Sequence, residues 1–88
     1  MKLKYTFEIL ELDDEPVAVV VGKGASEFRG VLKLNETAKV IFEHLMEETS
    51  VEEIVDAMEA EFDVPRESLK ADVRKFVQFC EENNILTT

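Results

Sequence analysis

The sequence predicts an α+β domain in which three strands precede three helices, in the order β-β-β-α-α-α. Three observations carry that reading. Residues 5–34 show period-two and β-branched patterns, interrupted by acidic and glycine-containing turns. Residues 35–82 show three stretches with apolar side chains at helical spacing, and helix-start signals stand at Asn35 and Ser50. At 88 residues the chain has room for one hydrophobic core, so a single domain is expected over 1–88.

Tyr5, Phe7 and Ile9 alternate with Thr6 and Glu8, the pattern of a strand with one wet face. The apolar phase then moves to Leu10 and Leu12, which predicts a bulge or the end of the strand there. Asp13-Asp14-Glu15-Pro16 is turn chemistry, with short side-chain acceptors followed by a residue of fixed φ. The run VAVVV at 17–21 predicts a strand covered on both faces. Gly22-Lys23-Gly24-Ala25-Ser26 makes the next loop. Phe28 to Leu34 predicts the third strand, with Phe28, Leu32 and Leu34 on one face and Arg29, Val31 and Lys33 on the other.

Asn35 stands where a helix N-cap belongs, and Ala38, Ile41, Phe42 and Leu45 follow at i, i+3, i+4 and i+7. Ser50-Val51-Glu52-Glu53 is a capping box, with Val51, Ile54, Val55, Met58 and Phe62 as the stripe behind it. Pro65 ends that helix and restrains Val64. The third helix starts at Pro65 or Arg66, buries Leu69, Val73, Phe76, Val77 and Cys80, and stops at Asn83-Asn84 in a left-handed turn. Two helices joined by Asp63-Val64-Pro65 form a helix-turn-helix arrangement. Beside a three-stranded antiparallel sheet, that makes a winged-helix-like domain.

Composition narrows the function classes. Twenty acidic and ten basic side chains give a net charge of −10, which repels nucleic acid and anionic membranes at long range. No apolar run approaches the ~20 residues of a membrane span, and MKLKYTFEIL turns acidic too early for a signal peptide. The lone Cys80 fits a reducing, cytoplasmic setting. It also falls on the predicted core face, where a thiol is an inert apolar group. His44, Glu47 and Glu48 make at most part of a metal site, and a solvated helix face explains them more simply. Gly22-Lys23-Gly24 lacks the rest of any phosphate-cradling motif. No catalytic constellation, metal site or cofactor site is expected, and the chain reads as a non-enzyme.

Two features point to binding. The strand Phe28–Leu34 puts Arg29 and Lys33 around Val31, with Gly30 where a partner backbone approaches closely. An edge strand of this kind accepts an added peptide strand, although a lysine on an edge also serves to block aggregation. Arg66, Lys70 and Arg74 form a line down one flank of the third helix, against both like-charge repulsion and the helix dipole. That line either meets an acidic ligand or pairs with acids of other elements. Phe79 lies off the centre of the stripe, either covered by a neighbouring element or part of a contact surface.

The segments FRGVLKLNETA, TSVEEIVDAMEAEFDVP and ESLKADVRKFVQFCEENNIL, in this order and spacing, resemble the family of the PQQ-biosynthesis protein D, the stand-alone RiPP recognition elements. The likeness covers roughly residues 5–86; the family often has tryptophan at Phe42 and glycine near Asn84. The resemblance implies an adaptor that binds the leader of a ribosomally made precursor peptide and presents it to a modifying enzyme, often a radical-SAM enzyme. It implies that the leader adds beside the third strand and packs against the third helix. On this basis Arg29, Gly30, Val31 and Lys33 are the expected pairing edge, with Arg66, Lys70, Val73, Arg74 and Val77 as the opposite wall. The competing readings are a generic winged-helix interaction or DNA-binding domain, with Arg66 and Lys70 facing base edges, and an edge strand that pairs with itself in a homodimer. No nucleic-acid or membrane partner is expected, and the chain is expected as a monomer or weak homodimer.

Overall fold

The computed structural model describes residues 1–22 and 30–87. Its elements are β1 (Lys2–Leu3), β2 (Thr6–Leu12), β3 (Glu15–Val21), β4 (Val31–Lys33), α1 (Glu36–His44), α2 (Val51–Glu61), α3 (Arg66–Glu82) and β5 (Leu86–Thr87). An antiparallel sheet of order β2-β3-β4 precedes the three helices, and a second, two-stranded sheet joins β1 to β5. The α+β architecture is therefore the expected one. The predicted loop residues Lys23 to Ser26, and Phe28 and Arg29 of the third strand, lie outside the described residues.

Of the two outcomes expected at Leu10 and Leu12, the structure shows the end of the strand: β2 stops at Leu12 without a bulge, its register against β3 unbroken from Thr6–Val21 to Leu12–Glu15. The phase shift at Leu10 and Leu12 arises because these residues stand on the outer face, 41% and 53% exposed. The turn is also shorter than the four residues predicted. Only Asp13 and Asp14 form it, both at positive φ (52° and 65°), while Glu15 and Pro16 already belong to β3. Successive left-handed residues make the type I′ hairpin turn, whose second position favours glycine. Asp14→Gly is expected to raise the unfolding free energy by about 0.5–1 kcal/mol, read as a higher thermal midpoint.

Pro16 is the second residue of the central strand β3, and its carbonyl accepts the Leu34 N–H at 2.9 Å. Val17 and Ala18 are buried, while Val19, Val20 and Val21 are only half-buried, so the run is covered on both faces only at its start.

The helix signals operate as written. Asn35 Oδ1 accepts the Ala38 N–H at 2.7 Å, and Ser50 Oγ accepts the Glu53 N–H at 3.2 Å while donating to the Glu53 carboxylate. At the end of α3, Asn84 takes φ 57°. Its N–H donates to Glu81, and Ile85 N–H reaches back to Cys80, the paired bonds of a Schellman stop. Ile85 is thereby turned into the core, fully buried.

The core cluster joins Phe7, Ala18, Leu32 and Leu34 of the sheet to Ile41, Phe42, Ile54, Met58, Leu69, Val73 and Cys80 of the helices. The terminal strands close its far side. Leu3 N–H donates to Leu45 and Lys4 N–H to Ile85, at 2.8 and 2.7 Å.

Candidate functional site

The strand order leaves β4 as one edge of the sheet. Ala18 is in register with Leu32, and Leu34 N–H already bonds Pro16. Backbone bonding alternates sides along an antiparallel strand. Leu32 and Leu34 therefore direct their polar backbone groups into the sheet, and Val31 and Lys33 direct theirs outward. No strand among the described residues pairs with that outer side. Gly30 leads into the edge at φ +107°, a conformation L side chains rarely adopt, with nothing within 4 Å of where a Cβ would stand. The backbone there favours glycine, and no atom of the described residues fills the space beside it.

Past Lys33 the chain reaches a cleft of about 350 Å³ between the start of α1 and the middle of α3. Asn35, Ala38 and Ile41 form one wall, and Asp72, Lys75, Phe76 and Phe79 form the other. Phe76 and Phe79 stack with centroids 5.8 Å apart. Phe76 then meets Phe42 edge-on at 6.1 Å, and Phe42 meets Phe7 at 4.9 Å. This aromatic relay from β2 through α1 to α3 holds the cleft floor against the core, in the edge-on geometry that ring quadrupoles favour. Phe79 is 41% exposed at its outer end.

Of the edge residues expected from sequence, Val31 and Lys33 stand along β4, Gly30 immediately precedes it, and Arg29 lies outside the described residues. The expected α3 residues are placed elsewhere than the cleft. Val73 and Val77 are core residues, 0% and 7% exposed. Arg66 donates to Asp56 at 2.8 Å and Glu52 at 2.9 Å and also contacts Glu59, while Lys70 pairs with Glu52 at 3.0 Å. These acids all belong to α2, so the two cations clamp α3 to α2. The hydrogen bonds that Arg66 donates to Asp56, then Glu59 and Glu52, raise its pKa, and those that Glu52 accepts from Lys70 and Arg66 lower the Glu52 pKa. Arg74 is exposed. At 100° per residue these three cations lie on the flank of the apolar stripe opposite Asp72, Lys75 and Phe79. The cleft residues missed in the sequence share one available signal, an aromatic side chain off the stripe at Phe79.

Cys80 is fully buried, and burial, with a smaller contribution from Glu81, pushes its thiol up to about 12. A raised folded pKa means that the unfolded chain ionises first. This contribution to stability is complete below pH 9.0, the thiol's ordinary pKa, and is lost as pH rises toward 12. The expected result is slow alkylation of Cys80 in native protein and rapid alkylation in urea, followed by mass spectrometry. Among the described residues no group of three His, Cys, Asp or Glu side chains is arranged to hold a metal. No described helix is long and apolar enough to cross a membrane.

Among solved structures, the chain is similar to TbiB1 in complex with the TbiA(beta) leader peptide. Identity is 29%, the TM-score is 0.71, and the match covers 98% of this chain and 94% of that one. It shares its fold with lasso peptide synthetase B1 complexed with the leader peptide, at 21% identity and a TM-score of 0.70, over 99% and 96% of the two chains. A comparison with curated proteins finds no match. The family model for coenzyme PQQ synthesis protein D (PqqD) matches residues 12–86, from the last residue of β2 through β3, β4 and the three helices to the first residue of β5, and the chain belongs to that family.

Proposed function

We propose that this chain is a non-catalytic adaptor that binds the leader of a ribosomally synthesised precursor peptide and presents it to a modifying enzyme of the radical-SAM type. The observation that carries this reading is the open β4 edge running directly into an aromatic-floored cleft. Family membership and the likeness to a leader-bound relative support it.

In this mechanism an extended leader adds beside β4 and exchanges backbone hydrogen bonds with Val31 and Lys33. Alternate leader side chains then fall on opposite faces of the enlarged sheet. Those on the helix side reach the cleft between Ala38 and Phe79, and those on the other side flank Val31 and Lys33. Lys33 favours acidic leader residues at the edge. The α3 wall is assigned to Asp72, Lys75, Phe76 and Phe79 in place of Arg66, Lys70 and Arg74, with Val73 and Val77 supporting it from below. No step requires a metal or a cofactor.

Magnitudes indicate why both parts are needed. Four backbone bonds at about 0.5–1.5 kcal/mol and one buried anchor at about 1.5–3 sum to roughly 4–9 kcal/mol before association costs. Micromolar affinity requires about 8 kcal/mol. Neither the edge nor the cleft reaches that value alone.

The test is an anisotropy titration with the labelled leader of any precursor peptide encoded in the same gene neighbourhood. Phe79→Ala is expected to weaken binding about tenfold or more, the loss of a large apolar contact. The double substitution Arg66→Glu/Lys70→Glu is expected to change affinity less than twofold. The reverse pattern would move the site to the α2 flank of α3.

A further inference from the structure

The outer face of the sheet carries an apolar strip that leader binding at the edge does not use. Register places Leu12 beside Glu15, Leu10 beside Val17 and Glu8 beside Val19, then Val17 beside Lys33 and Val19 beside Val31. Paired residues share a face, so Leu12, Leu10, Val17, Val19 and Val31 run diagonally across the side away from the helices. None of the five belongs to the core cluster or packs against it. Leu10, Leu12 and Val31 are 41%, 53% and 52% exposed. Val17, at the middle of the strip, is 3% exposed and Val19 is half-buried, so the exposed apolar surface consists of Leu10 and Leu12 at one end and Val31 at the other. On so charged a chain, exposed apolar side chains grouped on one sheet face mark an interaction surface, whereas single exposed apolar residues are ordinary.

Charge and continuity identify the occupant. Glu8, Asp13, Asp14 and Glu15 surround the Leu10–Leu12 end, and Lys33 is the one basic side chain that the described residues of β2, β3 and β4 place on this face. A second copy of a chain of net charge −10 would set acids against acids. A patch that is apolar at its centre and ringed by lysine or arginine would complement both features. Val31 links the strip to the binding edge, since its backbone faces the open side of β4 while its side chain belongs to the strip. A leader strand added there would extend the strip with its own alternate side chains.

We infer that this outer face, extended by the bound leader, is the docking surface for the modifying enzyme, whose contact patch is apolar and basic-rimmed. The inference rests on the leader-binding reading. Its consequence is that the enzyme meets a larger surface on a loaded adaptor than on an empty one, which couples docking to cargo.

The experiment uses any radical-SAM enzyme encoded in the same gene neighbourhood, purified and titrated with wild type and with Leu10→Thr/Leu12→Thr, each with and without leader. Threonine keeps β propensity at these exposed positions, and Val64→Thr at another exposed apolar site is the control. Expected are leader affinity within twofold of wild type, enzyme affinity at least tenfold weaker for the double variant only, and wild-type docking that weakens as salt rises. Unchanged enzyme affinity in the double variant would overturn the inference. So would a wild-type dimer that the double variant dissociates, since the strip would then belong to a second copy. Failure of wild type to bind leader at all would overturn the adaptor reading itself. That outcome is distinguishable because leader binding is read separately from docking.

Discussion

Phe42→Ala is expected to lower the unfolding free energy by about 3–5 kcal/mol. The side chain is fully buried and sits at the middle of the ring relay, 4.9 Å from Phe7 and 6.1 Å from Phe76. Truncation removes the transfer free energy of the ring and leaves a cavity shared by β2, α1 and α3, which these rigid elements fill only partly. A domain of this size has a total stability of about 5–13 kcal/mol, so the variant is left marginal. Urea unfolding followed by circular dichroism should show a lower midpoint with an unchanged slope. A loss below about 1.5 kcal/mol would mean that the site collapses around the deletion and that the relay is not the structural centre. Leader affinity should fall with it, because Phe76 rests on Phe42 and forms the cleft floor.

Lys33→Pro is expected to abolish at least nine-tenths of the leader affinity while changing stability by no more than about 1 kcal/mol. The N–H it removes points away from the sheet, and proline is tolerated on an edge strand in that orientation. The residue before it, Leu32, is already extended, as a pre-proline position requires. Leu32→Pro gives the contrast, because that N–H lies on the β3 side of the ladder and its side chain is 8% exposed in the core. It should unfold the sheet. Equal effects of the two substitutions, measured by leader titration and urea unfolding, would show that the outward groups of β4 have no binding role.

What was legible in the sequence divides along physical lines. Helix boundaries depend on local chemistry, and Asn35, Ser50 and Asn84 each act through bonds to residues a few positions away. The sheet was harder, because a period-two pattern presumes one wet face. Leu10 and Leu12 break that presumption by being apolar on the outer side, and their phase imitates a bulge. The β1–β5 sheet has two residues per strand, too few to show any period, and its pairing joins opposite ends of the chain.

The third helix held the subtlest problem. Its apolar stripe is plain, but the helical period alone does not say which flank meets α2 and which lines the cleft. The basic flank drew attention because Arg66 stands against the helix dipole. The structure gives the compensation, three acids of α2 converging on one guanidinium. Such long-range pairing has no local signature. Exposed ion pairs of this kind contribute little stability, so the clamp fixes the approach of α3 to α2 more than it holds the fold together.

The central claim is that a leader strand bonds to the outward groups of Val31 and Lys33. It is tested most directly by amide hydrogen exchange and chemical shifts of the ¹⁵N-labelled chain, titrated with the leader of any precursor peptide encoded in the same gene neighbourhood. The predicted result is strong new protection at the Val31 and Lys33 amides, little change at Leu32, and shifts at Asp72, Lys75, Phe76 and Phe79. Saturation of the chain with shifts centred on Arg66 and Lys70, and no new protection at Val31 and Lys33, would contradict it.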